Sequence, residues 1–423
     1  MTDVYIAGVG MTPFGRHMDK SYKDLTAEAV QGALTDAGVD KDEVGEAFFA
    51  SCVIGFLQDQ HMVPGQVALR SMGFEGIPIF NVEGACASAT SGLYLAAQAI
   101  RAGSCDIAIA VGTEKMLTED KAKMFAAFDS AWDVTTVEAN KEYLLKMGEG
   151  ITLPEGSLSP KPYSMFMDVY AAFCRQHMKT FGTTQEQIAA VCAKNHTHSV
   201  HNPLAQYQNP YTVEEVMAAP PITYPLTLPM CAPISDGSAA AVLCSAEGLR
   251  RLRGDASRAV KLLSCVFRSG INRTAEEYEK HITALAAAEA YEKAGVSPED
   301  VSVVEVHDAT AMGEIIQVEN LRLVPWGEGG PAAARGDFTV GGRVPVNPSG
   351  GLESKGHPIG ATGLGQIFEL VTQLRGEAGA MNVKINAHGR VIEELANSAV
   401  PPVQGKTLTL TIDSELQAQA MEI

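Results

Sequence analysis

Two stretches of the chain, TAEAVQGALTDAGVDKDEVGEAFFASC at 26–52 and TALAAAEAYEKAGVSPEDVSVVEVHDA at 283–309, align without a gap and share AGV at 37–39 and 294–296. Each has apolar residues at helical spacing, then a turn with Asp or Ser-Pro capping residues, then a short apolar run of strand type. A second pair follows: SGLYLAAQAIRAGSCDIAIAVG at 91–112 and TGLGQIFELVTQLRGEAGAMNVKINAHG at 362–389 both read as helix, glycine turn and buried strand. An opening strand precedes each set, VYIAGVG at 4–10 and AVKLLSCV at 259–266. The expectation is a duplicated α/β chain with one half at 1–115 plus 234–250 and the other at 256–423. Residues 116–233 have no counterpart in the second half, are rich in Met, Pro, Tyr and Lys, and read as an insertion, partly helical over 168–181 and 184–197. Two equal halves place a site at their junction, supplied from both, with the insertion lying over it.

Composition narrows the partners. A chain of 423 residues, 46% hydrophobic, can bury one large or two medium cores. The formal net charge of −18 argues against nucleic acid or an anionic membrane surface. A polyphosphate ligand would have to be met by local cations. No apolar run approaches the roughly 18 residues that a membrane span needs. The N-terminal residues do not combine a basic start with an apolar core, and the terminal QAMEI carries no peroxisomal or ER-retention signal of the usual kind. The expected setting is soluble and cytoplasmic. The eight cysteines (52, 86, 105, 174, 192, 231, 244 and 265) lie in apolar segments without a CxxC pair, the pattern of reduced thiols rather than a disulfide framework or zinc site. HTHSVH at 196–201 lacks HExxH or carboxylate support for a metal and reads as a solvated helix end.

The candidate site residues gather at equivalent ends of these segments. In NVEGACASATSGLYLAAQAI (81–100), Cys86 falls where the apolar run GIPIF (76–80) has ended and a helix is expected from Ser88. A thiol at the first turn of a helix faces unpaired N–H groups and the positive end of the dipole, which favours thiolate. A small buried hydrophobe is the competing reading. In VSVVEVHDAT (301–310) an apolar strand delivers His307 and Asp308 at its carboxyl end, the edge where open α/β sheets build sites. In SKGHPIGATGLGQIFEL (354–370), Gly356 suits a tight turn, Pro358 the first helical position, and Gly360, Ala361 and Gly363 a close helix approach. His357 is thereby placed at a helix N-terminus, as Cys86 is in the other half. KINAHG (384–389) adds His388 at the end of another strand. Ser235, Asp236 and Gly237 read as a structural turn, and Asp236 is given no catalytic role.

Six motifs together resemble the thiolase superfamily, most of all the thiolase-like enzymes related to sterol carrier protein thiolases. They are IAGVGMTPFGR (6–16), GACASATSG (84–92), NPLAQYQNPYT (202–212), MCAPISDGSAAAV (230–242), HDAT (307–310) and SKGHPIGATG (354–363). The resemblance implies a thiolase fold of five αβαβα layers, an inserted loop domain carrying much of the coenzyme A contact, and a homodimer or dimer of dimers. It implies Cys86 as nucleophile, His357 as its base, and His307 with His357 as donors to a thioester oxygen. The backbone N–H groups of Cys86 and Gly389 are the implied oxyanion donors. Coenzyme A and acyl-CoA enter as substrates, with no permanently bound cofactor and no metal. The implied reaction is cleavage of a 3-oxoacyl-CoA by CoA, or the reverse Claisen condensation, through an S-acyl enzyme.

The chain departs from the family at the second catalytic cysteine. Sterol-carrier-type thiolases carry it in HDCF, where this chain has HDAT and Ala309; ordinary thiolases carry it in a C-terminal CxGGG, where this chain has His388 and a glycine run curtailed to Gly389. An imidazole can move the α-carbon proton, so His388 is the expected replacement. Two other readings stay open: a decarboxylating ketosynthase, for which Cys86, His307 and His357 form a complete set, and a thiolase-fold subunit that works only with a small zinc-ribbon and OB-fold partner. Met165, Phe166, Met167, Tyr170 and Phe173 are compatible with a bulky acyl group but read first as core.

Overall fold

The computed structural model describes residues 2–378 together with the strands Asn382–Ile385, Val391–Leu395 and Thr407–Thr411. Seven strands make the main sheet: β1 (Tyr5–Met11), β2 (Glu46–Ala50), β3 (Ile79–Val82), β4 (Ile107–Glu114), β5 (Gly237–Cys244), β6 (Val260–Val266) and β7 (Thr407–Thr411). Their spatial order is β7-β6-β1-β5-β4-β2-β3. The β2 strand runs parallel to both β3 and β4, whereas β5 is antiparallel to β4 and β1.

Every residue of β4 and of β5 is buried, as expected for central strands covered on both faces. Their side chains sort by the two-residue period of a strand. Ile107, Ile109 and Val111 face helix α1 (Tyr22–Ala37), packing with Ala29, Val30, Ala33 and Leu34. Ala108 and Ala110 face the other way, toward Leu93, Ala96, Ala97 and Ile100 of helix α2 (Ser88–Ala102) and Leu364, Ile367 and Val371 further along the chain. Large residues on one face and alanine on the other let two helices, one from each half, press onto the same side of the sheet. On the α1 face, Gly10 of β1 meets the helix backbone: a Cβ there would stand 2.2 Å from Ala29 O.

The duplication persists in three dimensions at one constant spacing. Helix α1 ends at Gly38 and its counterpart Ile282–Ala294 at Gly295, both left-handed caps. The turns Lys41–Glu43 and Pro298–Asp300 follow, each closed by a capping box. Ala47 then pairs in parallel with Ile79, and Val304 in parallel with Val346. Among the described residues the run leading to His307 makes this one bridge.

Within the insertion, helices Phe166–Phe181 and Gln185–Ser199 form close to the expected positions. Phe166, Tyr170 and Phe173 join Ile188, Val191, Met312, Ile315 and Val318 in one core, with Met165 and Met167 packed against it. The aromatic stripe is therefore core, and it fastens the insertion to the second half. The solvated end expected for HTHSVH does not form at two of its three histidines. His196 and His198 are buried, and His198 accepts from Val340 N at 3.1 Å while its Nδ1 contacts Asn347 O at 3.0 Å. Only His201 is exposed. No helix among the described residues is long and apolar enough to cross a membrane.

The close approach at Gly10 gives a direct test. Gly10→Ala is expected to destabilise the protein by more than about 2 kcal/mol, the scale of overpacking a rigid site. Gly15→Ala, with nothing within 4 Å of the added carbon, is expected to change stability by less than about 0.5 kcal/mol. Urea unfolding midpoints of the two variants check the contrast.

Candidate active site

Cys86 occupies a short turn, Ala85–Ala87, that runs directly into α2. The turn is tight enough to force Ala85 to φ 47°, a left-handed conformation that a residue with a side chain adopts only when its surroundings hold it there. Three contacts do so. Ser88 Oγ donates to Ala85 O at 2.7 Å and accepts from Gly84 N at 2.9 Å, and Glu83 accepts from Ala85 N at 2.7 Å.

His357 arrives from the second half. Its Nε2 lies 3.4 Å from Cys86 Sγ, and its Nδ1 lies 2.7 Å from Thr362 Oγ1. The Thr362 hydroxyl has one proton and donates it to Pro358 O at 3.0 Å, so toward the imidazole it acts as an acceptor. Nδ1 therefore carries the ring proton, and Nε2 presents its lone pair to the thiol. The backbone N–H of His357 donates to Ser235 Oγ at 3.0 Å, and Ser235 in turn donates to Gln206 Oε1 at 2.6 Å. A side chain of the insertion thus anchors the histidine turn. Pro358 is not the first helical residue: Ala361 N bonds back to Pro358 O at 2.8 Å, and the helix begins only at Thr362.

His307 completes the constellation, its ring edge-on to that of His357 with centroids 5.1 Å apart. Ligating atoms of Cys86, His307 and His357 all lie within 4.8 Å of one another, and each residue is 8% exposed. Burial pushes the His307 pKa down to about 4; burial and the neighbouring His307 hold His357 well below the ordinary imidazole range. Both rings are therefore neutral at pH 7, the state in which His357 can accept a proton. His307 Nε2 is buried without a hydrogen-bond partner and faces the same space. A cavity opens beside Cys86, lined by Thr90, Glu305, His307, Gln317, Leu321 and Gln366.

Asp308, next in the chain, takes no part in this group. Its carboxyl accepts from Leu352 N at 2.8 Å and Asn195 Nδ2 at 3.1 Å within a buried network that includes Glu314 and Glu353. Asp236 sits in the expected structural turn, ion-paired with Lys115 and accepting from Met116 N at 2.7 Å and Leu117 N at 2.8 Å. Ala309 is buried and offers no group for proton transfer. His388 and Gly389 lie outside the described residues.

Two functional partners were not singled out in the sequence. Thr362 lies within SKGHPIGATG, where a hydroxyl five residues after a histidine, across a proline turn, is the available signal. Glu114 ends the otherwise apolar strand IAIAVGTE. It is fully buried and accepts from Cys52 N at 2.8 Å, Val53 N at 3.0 Å and Gly360 N at 2.9 Å, tying a loop of the first half to the histidine turn of the second. Burial raises its pKa to about 7.

Residues 4–218 match the thiolase N-terminal domain and residues 268–394 match a domain described as thiolase C-terminal domain-like. Human sterol carrier protein 2 is 38% identical over 391 residues, which span 90% of this chain and 67% of that protein. An acetyl-CoA acetyltransferase of Methanothermobacter thermautotrophicus is 36% identical, over 91% of this chain and 94% of that enzyme. Among solved structures, the Ltp2-ChsH2(DUF35) aldolase superposes with a TM-score of 0.70 at 23% identity, covering 89% of this chain and 91% of that one. The fold is therefore the thiolase fold, with its two α/β halves.

His307 and Glu114 make opposite contributions to stability with pH. His307 binds its proton more weakly when folded, so its contribution is full above about pH 6.5 and is lost as pH falls toward about 4. Glu114 binds its proton more tightly when folded, so its contribution is full below about pH 4.5 and is lost as pH rises through about 7. Relative to the unsubstituted protein, His307→Gln is expected to shift the change in stability between pH 7.5 and 4.5 one way and Glu114→Gln the other. Each shift should be on the order of 2–3 kcal/mol, measured by urea unfolding at the two pH values.

Proposed function

The chain belongs to the thiolase family, and from that premise we propose that it is an acyl-CoA C-acyltransferase working through an S-acyl intermediate on Cys86. The observation that carries the reading is the lone pair of His357 Nε2 aimed at Cys86 Sγ, with the tautomer fixed from behind by Thr362. A free thiol has a pKa near about 8.5, so only a few per cent is thiolate at neutral pH and an adjacent neutral base speeds its use.

In the forward step His357 takes the Cys86 proton as Sγ attacks the 3-oxo carbonyl carbon of a 3-oxoacyl-CoA. The bond between that carbon and the α-carbon breaks, acyl-Cys86 forms, and the departing enolate of acetyl-CoA takes a proton. The second substrate, free CoA, gives its thiol proton back to His388 and attacks the acyl-enzyme carbonyl; the Cys86–acyl bond breaks and the Cys86 thiolate takes back its proton from His357. Negative charge develops on a carbonyl oxygen in each attack. The helix start beneath Cys86 favours it electrostatically, and His307 with His357 supplies donors for a thioester oxygen. Each such donor contributes about 3 kcal/mol in comparable sites. Proton transfer at the α-carbon is assigned to His388, the imidazole that stands where the family's C-terminal cysteine would be. Residues 116–233 are assigned as the loop domain that receives CoA, between a first half at 1–115 plus 234–250 and a second half at 256–423. The same machinery run backwards is a Claisen condensation.

Acylation is the direct test. Incubated with acetyl-CoA or a short 3-oxoacyl-CoA and digested, the wild-type chain is expected to carry the acyl mass on Cys86, and Cys86→Ala to carry none. Absence of any adduct, with and without a co-expressed small zinc-ribbon and OB-fold partner, would remove the catalytic reading. Thr362→Val is expected to lower kcat by about 10- to 100-fold with KM for acyl-CoA changed less than about twofold, and Thr362→Ser to recover most of the loss. His388→Ala is compared with wild type on short, branched and aromatic 3-oxoacyl-CoA substrates; equal turnover on all of them would refute the role given to His388.

A further inference from the structure

Cys86, His307 and His357 are the only group of three His, Cys, Asp or Glu side chains among the described residues whose ligating atoms come within 4.8 Å of one another. We propose that these three residues also form a reversible, inhibitory site for a borderline-soft divalent cation of the zinc type. The donor set decides the class of ion. One thiolate and two imidazoles, with no carboxylate among them, suit zinc or cobalt and not magnesium, calcium or manganese.

The geometry is nearly that of a bound ion already. A tetrahedral zinc, with Zn–S about 2.3 Å and Zn–N about 2.0–2.1 Å, sets its sulfur and nitrogen ligands about 3.6 Å apart and two nitrogens about 3.3 Å apart. The Cys86 Sγ to His357 Nε2 separation is 3.4 Å. His307 has to approach by at most about 1.5 Å from the outer limit of 4.8 Å.

Two further features favour occupancy. His357 Nδ1 is committed to Thr362, which both fixes the ring and leaves Nε2 as the free lone pair, the outer-shell arrangement that metal-bound histidines have. His307 Nε2 is buried without a hydrogen-bond partner, a state that an ion relieves. The fourth coordination position is left to water.

Binding converts the Cys86 thiol to a metal-bound thiolate, and its proton goes to solvent because the ion occupies the lone pair of His357. The thiolate and the base are then both withdrawn from chemistry, so ion and thioester exclude each other. The inference stands on the three donor atoms and not on the acyl-transfer reading.

The chelator-treated, reduced full chain is titrated with cobalt(II). One ion per chain is expected, with a thiolate-to-cobalt charge-transfer band, release of one proton per ion, and displacement by zinc. Cys86→Ser should abolish the band and His307→Ala weaken binding at least tenfold. A measurement on the wild-type protein avoids any folding defect in those variants: zinc should slow iodoacetamide alkylation of Cys86 at least tenfold, as mapped by mass spectrometry. The other seven cysteines should be unaffected, and EDTA should restore the rate. A charge-transfer band that survives in Cys86→Ser, or a Cys86 alkylation rate that zinc does not change, overturns the proposal. Acylation of the metal-free chain is scored separately, so failure of either idea is visible without the other.

Discussion

The constraint on which the rest of the structure depends is the close packing of two helices, one from each half, on the alanine face of the central sheet. Helix α2 starts just after Cys86, and Thr362–Arg375 starts just after His357. A Cβ on Gly363 would stand 2.4 Å from Thr90 Cγ2, and one on Gly112 would stand 2.4 Å from Gly360 O. Only small residues at these points let the two helix starts come together. A side chain larger than hydrogen at Gly363 would push the helices apart, and the 3.4 Å contact between thiol and imidazole would open with them. Packing and chemistry are therefore set by the same glycine and alanine positions, and the buried strands Ile107–Glu114 and Gly237–Cys244 carry both.

Around that contact the protein invests in backbone anchors rather than in charge. Glu114 receives three N–H groups, Ser235 receives the N–H of His357, and Ser88 closes the turn of Cys86. Among the described residues no carboxylate hydrogen-bonds to His357: its Nδ1 partner is the neutral hydroxyl of Thr362. A carboxylate partner would raise the pKa of the imidazole, whereas a neutral acceptor in a buried site fixes the tautomer and leaves the ring uncharged. The nearby acids go elsewhere. Asp308 and Glu353 both meet the amide of Asn195; burial raises both pKa values, helped by repulsion from Glu314 at Asp308 and from Asp308 and Glu314 at Glu353.

The parts of this arrangement legible in the sequence are those governed by local chemistry. The repeat could be read because capping boxes, glycine caps and period-two strands are written in short stretches, and Gly38 with Gly295 or Asp40 with Ser297 fall at the same spacing in both copies. Cys86 and His357 could be read because each precedes a run of small residues that opens a helix. What escaped depends on tertiary context. His196 and His198 look solvated on a polar helix, yet the segments around Val340, Asn347 and Ser354 fold over them and supply their hydrogen bonds. The partnership of Thr362 with His357 depends on the proline turn between them, which places the helix start four residues after Pro358.

The missing second cysteine bears on which group can move the substrate proton. In a site with two thiols, one is acylated while the other handles the substrate proton. Here Ala309 is inert, and among the described residues the space beside Cys86 is left with two neutral imidazoles, one of them with an unpartnered nitrogen. An imidazole can both accept and donate a proton near neutral pH, so the proposed exchange of that thiol for His388 keeps proton transfer possible. The proposed acyl transfer and the proposed metal binding both draw on one property of this chain: a thiol and two imidazoles that are buried, with their donor atoms within 4.8 Å of one another.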